Sequence, residues 1–203
     1  MIKCLTILLC FILLTINAQA HNFHKSSGST EHNDKEVNIA LASTGESNSF
    51  VKYLGNEALF IQVNENKILF DPFFHHNLGI YQLVPKKIIH DIMNGNAPYT
   101  DINTIFISHA HQDHFAVDRM VTYLTRFKDT RLVASKQAID KVLEYLKKEK
   151  EKEKITIDKD RLIAVALSFG DDPWQYSVGN LTIDAIRIPH AGWPSRADVE
   201  NLV

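Results

Sequence analysis

The chain has 203 residues, of which 45% are hydrophobic and 23% are charged, a composition typical of a globular protein. This length is enough for one domain with a sizeable core and is short for two. The formal net charge is -2, so the sequence lacks the basic excess with which proteins bind nucleic acid, and no nucleic-acid partner is expected.

The first 20 residues predict a secretory signal peptide. Lys3 precedes an apolar stretch over 5–16, and the segment ends in AQA at 18–20, a small-x-small cleavage pattern. The apolar stretch is short for a bilayer span, which favours a cleaved signal peptide. The alternative is an uncleaved membrane anchor. We therefore expect a secreted or periplasmic protein that has no membrane segment after cleavage.

The segment that follows predicts a polar leader. Residues 21–36 contain almost no apolar side chains and are expected to be disordered, with their histidines exposed. Both cysteines, Cys4 and Cys10, lie inside the predicted signal peptide. The mature chain would therefore have no disulfide and no thiolate that could bind a metal.

From Val37 to Val203 the pattern predicts one α/β domain. Short apolar runs at 50–54, 58–63 and 67–70 predict a β-meander. A short helix is predicted over 85–95, which begins with proline and ends with glycine.

The second half of that domain mixes strands and helices. A buried strand is predicted at 104–108, and helical spacing of apolar residues then predicts two helices on either side of a strand at 131–135. The run at 147–154 alternates in charge and is typical of a solvated helix end. Further strands are predicted at 162–167, 174–178 and 181–188. This order favours an α/β sandwich over a purely parallel sheet.

The sequence HAHQDH at 109–114 concentrates potential metal ligands directly after a predicted strand. His109 and His111 are two positions apart, so at a strand end they would point to the same face and could share one ion. Asp113 and His114 could reach a second ion. Imidazole and carboxylate ligands suit zinc, and also iron or manganese. We therefore expect one or two metal ions here, with surface histidines as the alternative.

A third protein ligand is expected from elsewhere in the chain, and His190 is the candidate. It follows the predicted strand at 181–188 on a loop rich in proline and glycine, and such loops commonly carry ligands. Three protein ligands with one open position form the pattern of catalytic zinc.

HAHQDH resembles the HxHxDH signature of the metallo-β-lactamase fold superfamily. ILFDPFF at 68–74 resembles the early strand of that superfamily, and Asp71 matches the aspartate that ends it. The resemblance implies that Asp71 supports the metal-bound histidines from behind, with a turn-initiating aspartate as the alternative. His190 matches the superfamily's third histidine. The implied fold is an αββα sandwich over residues 37–203.

Two departures from the superfamily pattern concern the site. LGNEA at 54–58 stands where many relatives have LGHAS, so Asn56 replaces a histidine. The superfamily's later bridging aspartate and last histidine have no counterpart before Val203, because Asp198 follows His190 too closely to be the bridging residue. We therefore expect a C-terminally truncated member with an incomplete second metal site.

The resemblance implies a metal-dependent hydrolase that uses a metal-activated water on a small-molecule ester, lactone, amide or phosphodiester. Asp113 is the expected catalytic residue, because it would ligate the second ion and orient the nucleophile. A non-catalytic metal-binding remnant of the same fold is the alternative. An amidohydrolase barrel is disfavoured, because the HxH pair comes in mid-chain after a β-meander. The sequence contains no signal for an oligomeric state.

Overall fold

The computed structural model describes residues 38–40 by their backbone, and residues 49–149 and 155–188 in full. Within these ranges the strands are β1 Asn38–Ala40, β2 Phe50–Gly55, β3 Ala58–Val63, β4 Asn66–Phe70, β5 Thr104–Ile107, β6 Arg131–Ser135, β7 Leu162–Val165, β8 Trp174–Val178 and β9 Leu181–Ala185. The helices are α1 Lys86–Asn94, α2 Val117–Arg126 and α3 Lys136–Glu149. No helix in these ranges has the length and apolar character needed to cross a membrane.

Seven strands form one sheet in the order β1 to β7. The first four pair antiparallel as a meander, and β4 to β7 pair parallel. Parallel pairing brings the carboxyl ends of β4, β5 and β6 to the same edge. Ligands bind at this edge in α/β sheets, because the loops that leave it converge there.

The two faces of the sheet carry different layers. Successive side chains of β4 alternate, so that Leu69 joins the cluster with the helices while Ile68 and Phe70 join the opposite cluster. That second cluster includes the antiparallel hairpin β8–β9. β5 is buried along its whole length because both of its faces are covered. The α/β sandwich predicted from the order of elements is confirmed, with helices on one face and a second small sheet on the other.

The predicted elements match the observed ones closely, except that β1 was not predicted, and the other differences lie at the ends of elements. The strand predicted over 104–108 ends at Ile107, and those predicted over 162–167 and 181–188 end at Val165 and Ala185. Helix α1 ends at Asn94 and is capped by the predicted glycine, Gly95, whose φ of 64° is the left-handed conformation that glycine adopts at little cost. The charged run at 147–154 begins as the exposed last turn of α3, and its residues 150–154 lie outside the described ranges.

Arg161 anchors the end of α2 to the sheet. Its guanidinium donates to the carbonyl oxygens of Leu124, Phe127 and Thr130 at 2.7 to 3.0 Å. The last carbonyls of a helix have no partner within it, and a cation there also opposes the helix dipole.

Several sequence predictions fall outside the described residues. They are the signal peptide at 1–20, the leader at 21–36, and the two positions His190 and Asp198.

Candidate metal centre

The motif residues lie in the loop between β5 and α2, at the carboxyl edge of the sheet. Since β5 ends at Ile107, strand alternation does not bring His109 and His111 together as expected. A tight turn begins at His111, in which the N–H groups of His114 and Phe115 donate to the carbonyl of His111 at 3.1 and 2.8 Å. The rings of His109 and His111 lie 4.7 Å apart, and those of His109 and His114 lie 3.9 Å apart.

Three of the predicted ligands form a compact donor set. One ligand atom from each of His109, His111 and Asp113 lies within 4.8 Å of the others. His109 is buried, whereas His111 and Asp113 are partly accessible. Two imidazole nitrogens and a carboxylate oxygen that converge in this way fit a zinc-like ion.

His114 turns its two ring nitrogens to different partners. Nδ1 lies 2.9 Å from Oδ2 of Asp71, and Nε2 lies 3.7 Å from Oδ2 of Asp113. An ionised carboxylate only accepts hydrogen bonds, so Nδ1 carries a hydrogen, and in the neutral ring Nε2 therefore carries the lone pair. A carboxylate behind a histidine commonly orients it for metal binding in this way.

The carboxylates around His114 favour its protonated form. Burial by itself lowers the pKa of His114, but the hydrogen bond and charge of Asp71, followed by the charges of Glu57 and Asp113, raise it above the usual value. Glu57, Asp71 and His114 also lie close enough together to form a second donor set. The contact between Nδ1 and Asp71 argues against that set, because this nitrogen already donates to a carboxylate.

Asp71 is buried and accepts three hydrogen bonds. The backbone N–H and the hydroxyl of Ser108 donate to its two oxygens at 2.8 and 2.5 Å, in addition to Nδ1 of His114. Its own N–H donates to the carbonyl of Phe106, and its φ is 39°. The side chain of Asp71 therefore connects the end of β4 to the first residue of the motif loop. It also accepts a hydrogen bond from Nδ1 of His114, the ring nitrogen that faces away from Asp113.

Other parts of the fold hold the motif loop in place. The amide of Asn56 donates to the carbonyl of Asp113 at 2.9 Å, and the ammonium of Lys141 donates to the carbonyl of Ala110 at 2.6 Å. Asn56 has a φ of 45°, a left-handed conformation that asparagine tolerates better than most residues. Asn56 therefore fixes the backbone of the motif loop at Asp113.

Sequence reasoning missed three side chains at this centre. They are Ser108, Lys141 and Glu57, whose Oε2 lies 3.7 Å from Nδ1 of His114. Only Ser108 had a usable signal, since it immediately precedes the first histidine of the motif. Lys141 comes from α3, and nothing in its local sequence indicates that it reaches the loop.

The fold is thus a mixed α/β sheet with helices on one face, and its carboxyl edge carries a cluster of histidines and an aspartate that could hold a metal ion. The sequence model of the protein family described as the beta-lactamase superfamily domain matches residues 50–203. The chain belongs to this superfamily.

Two individual proteins are similar to parts of the chain. A UPF0173 metal-dependent hydrolase from Alkaliphilus metalliredigens is 34% identical over 64 residues, which are 32% of this chain and 22% of the relative. A crystal structure from Parabacteroides distasonis, described as a metal-dependent hydrolase, is 14% identical. The structural match covers 68% of this chain and 45% of the Parabacteroides distasonis chain, with a TM-score of 0.39. The chain therefore spans less than half the length of each, and the superfamily assignment rests on the sequence model.

Proposed function

We propose that this protein is a metal-dependent hydrolase that cleaves an ester, lactone, amide or phosphodiester bond in a small molecule. The observation that carries the proposal is the convergence of ligand atoms from His109, His111 and Asp113 within 4.8 Å. Membership of the beta-lactamase superfamily supports it. The relative from Alkaliphilus metalliredigens, which is itself named a metal-dependent hydrolase, points the same way.

The described residues suggest how one or two ions would be held. His109, His111 and Asp113 would bind the first ion, with His190 as the further ligand expected from the sequence. Asp113 and Nε2 of His114 would contribute to the second. Zinc is the proposed metal, with iron or manganese as alternatives. When bound, such an ion supplies a water of lowered pKa and polarises the substrate's oxygen.

The charges around the centre also favour a cation. The carboxylates of Glu57, Asp71 and Asp113 lie around the His114 ring, with the nearest oxygen of each at 2.9 to 3.7 Å from a ring nitrogen. Carboxylates gathered in this way repel one another, and a cation relieves that repulsion.

Two of these carboxylates can act directly on a reaction. Asp113 keeps 15% of its side chain accessible, so it can accept a hydrogen bond from an attacking water and orient it. Glu57 is 41% accessible, so it can exchange a proton with a leaving group.

The test is to measure metal content and turnover on the same preparation of the full chain. The protein is loaded separately with Zn²⁺, Mn²⁺ and Fe²⁺, and its metal content is determined by mass spectrometry. Each form is then offered a chromogenic carboxyl ester, a lactone, an anilide and a bis-aryl phosphodiester. We expect a bound ion and turnover of at least one substrate class.

The matched variants are His111→Gln and His90→Gln. His111 belongs to the donor set, whereas His90 is an exposed histidine of α1 outside it. We expect His111→Gln to lose both metal and turnover, and His90→Gln to keep both. Metal without turnover would favour the non-catalytic remnant, and equal metal content in both variants would refute the site.

A further inference from the structure

The hydroxyl of Ser108 lies between Asp71 and both buried histidines of the centre. Its Oγ is 2.5 Å from Oδ2 of Asp71, 3.1 Å from Nδ1 of His109 and 3.3 Å from Nδ1 of His114. The backbone N–H of Ser108 also donates to the other oxygen of Asp71 at 2.8 Å. Two contacts from one residue to one carboxylate leave the hydroxyl little freedom to move.

The single hydroxyl hydrogen must go to Asp71. A carboxylate can only accept, and 2.5 Å is the length of a charge-assisted bond from a hydroxyl to a carboxylate oxygen. Nδ1 of His114 has its own bond to Asp71, at 2.9 Å. The hydroxyl therefore offers a lone pair to Nδ1 of His109, and this nitrogen must be the donor.

A hydrogen on Nδ1 decides what the other nitrogen of His109 can do. In a neutral ring only one nitrogen carries a hydrogen, so Nε2 then keeps its lone pair. A metal ligand needs that lone pair, and the hydrogen bond of the opposite nitrogen selects it.

We propose that Ser108 is a positioning residue that fixes the Nδ1–H tautomer of His109 by linking it to the carboxylate of Asp71. Asp71 thereby orients His114 directly and His109 through the hydroxyl. One buried charge thus prepares two rings for the same metal centre. The benefit to metal binding rests on the proposed function, whereas the tautomer is a property of the metal-free protein.

The test compares Ser108→Ala with Ser108→Thr in the full chain. Nitrogen NMR of the metal-free protein at alkaline pH, where imidazoles are neutral, reports which ring nitrogen carries the hydrogen. The signals of His109 are assigned by their loss in His109→Gln. We expect Nδ1–H in the wild type and in Ser108→Thr, which keeps the hydroxyl, and a shift towards Nε2–H in Ser108→Ala.

Zinc affinity gives a second measurement on the same variants. We expect Ser108→Ala to bind zinc about 10- to 100-fold more weakly, as is usual when a group that orients a metal-bound histidine is lost. Ser108→Thr, which keeps the hydroxyl, should bind zinc with the affinity of the wild type. An Nε2–H tautomer in the wild type, or unchanged tautomer and affinity in Ser108→Ala, would overturn the inference.

Ser135→Ala is the matched control. Ser135 ends the neighbouring strand β6, and its hydroxyl accepts from the N–H of Ala138 at 3.3 Å at the start of α3. This variant should lose some stability in urea while it keeps the tautomer of His109 and the affinity for zinc. If the wild type bound no zinc, the proposed function would fail, but a tautomer shift confined to Ser108→Ala would still support the inference.

Discussion

Replacing Asp71 with asparagine should weaken metal binding while the backbone stays in place. Asparagine has the size of aspartate and tolerates the left-handed φ of 39° at this position, so the turn at the end of β4 is not strained. Its carbonyl oxygen can still accept from the N–H of Ser108. Its amide nitrogen, however, faces the hydroxyl of Ser108 and Nδ1 of His114 and can accept from neither.

The magnitude follows from the two lost hydrogen bonds. Each bond to a charged group contributes about 1.5 to 3 kcal/mol, and part of that loss is offset because a carboxylate no longer has to be buried. We therefore expect the free energy of unfolding of the metal-free variant to be about 2 to 3 kcal/mol lower than that of the metal-free wild type. Zinc affinity should fall about 10- to 100-fold, because His114 can then place its hydrogen on either nitrogen.

The assay is zinc titration against a competing chelator, together with urea denaturation and NMR titration of His114. The pKa of His114 should fall in the variant, because Asp71 is the strongest of the groups that raise it. The control is Asp140→Asn, at an exposed carboxylate of α3 paired with Lys136, where a change of about 0.5 kcal/mol or less is expected. Wild-type zinc affinity in Asp71→Asn would refute the view that Asp71 orients His114.

Three other predictions concern stability, acid sensitivity and the N-terminus. Arg161→Met should lower the free energy of unfolding by about 2 to 4 kcal/mol, because three carbonyls lose a charged donor, and Arg161→Lys should lose less; equal urea midpoints for the wild type and Arg161→Met would contradict this. Burial by itself raises the pKa of Asp118, but the hydrogen bond from His75 outweighs it together with the other interactions, and the pKa is lowered overall. The ionised Asp118 therefore adds to the free energy of unfolding above the ordinary aspartate pKa of about 3.9, and this stabilisation is lost as the pH falls further. The side chains of His75 and Asp118 are both half exposed, so the free energies of unfolding of the wild type and Asp118→Asn should differ by under about 1 kcal/mol at neutral pH. This difference should vanish in acid, and a difference that persists there would exclude the His75–Asp118 pair as its source. Intact-mass analysis of exported protein should give a chain that begins at His21, whereas a retained segment at 1–20 would contradict the signal peptide.

The element pattern was readable from the sequence because it depends on local periodicity. Alternating apolar runs at 50–63, a proline and a glycine around α1, and helical spacing in α2 and α3 each encode one element, and each is present. The errors are the short strand β1, which was not predicted, and the ends of elements, where pairing partners decide how far a strand continues. β7, for example, is paired with β6 only through Val165.

The metal centre was only partly readable. Four candidate ligands are consecutive or nearly so in HAHQDH, and their residue types alone indicate metal chemistry. The supporting groups come from distant segments. Asn56 is 57 positions from Asp113, and Lys141 is 31 positions from Ala110, so no local pattern links them.

The sequence by itself determined the kind of elements, their order and the ligand types, because each of these depends on residues close together along the chain. Only the tertiary structure decided which nitrogen of His114 donates to Asp71 and which one faces Asp113. The physical reason is that parallel pairing of β4 and β5 brings Asp71 beside Ser108, and hydrogen-bond direction is then set by contacts between residues 37 positions apart.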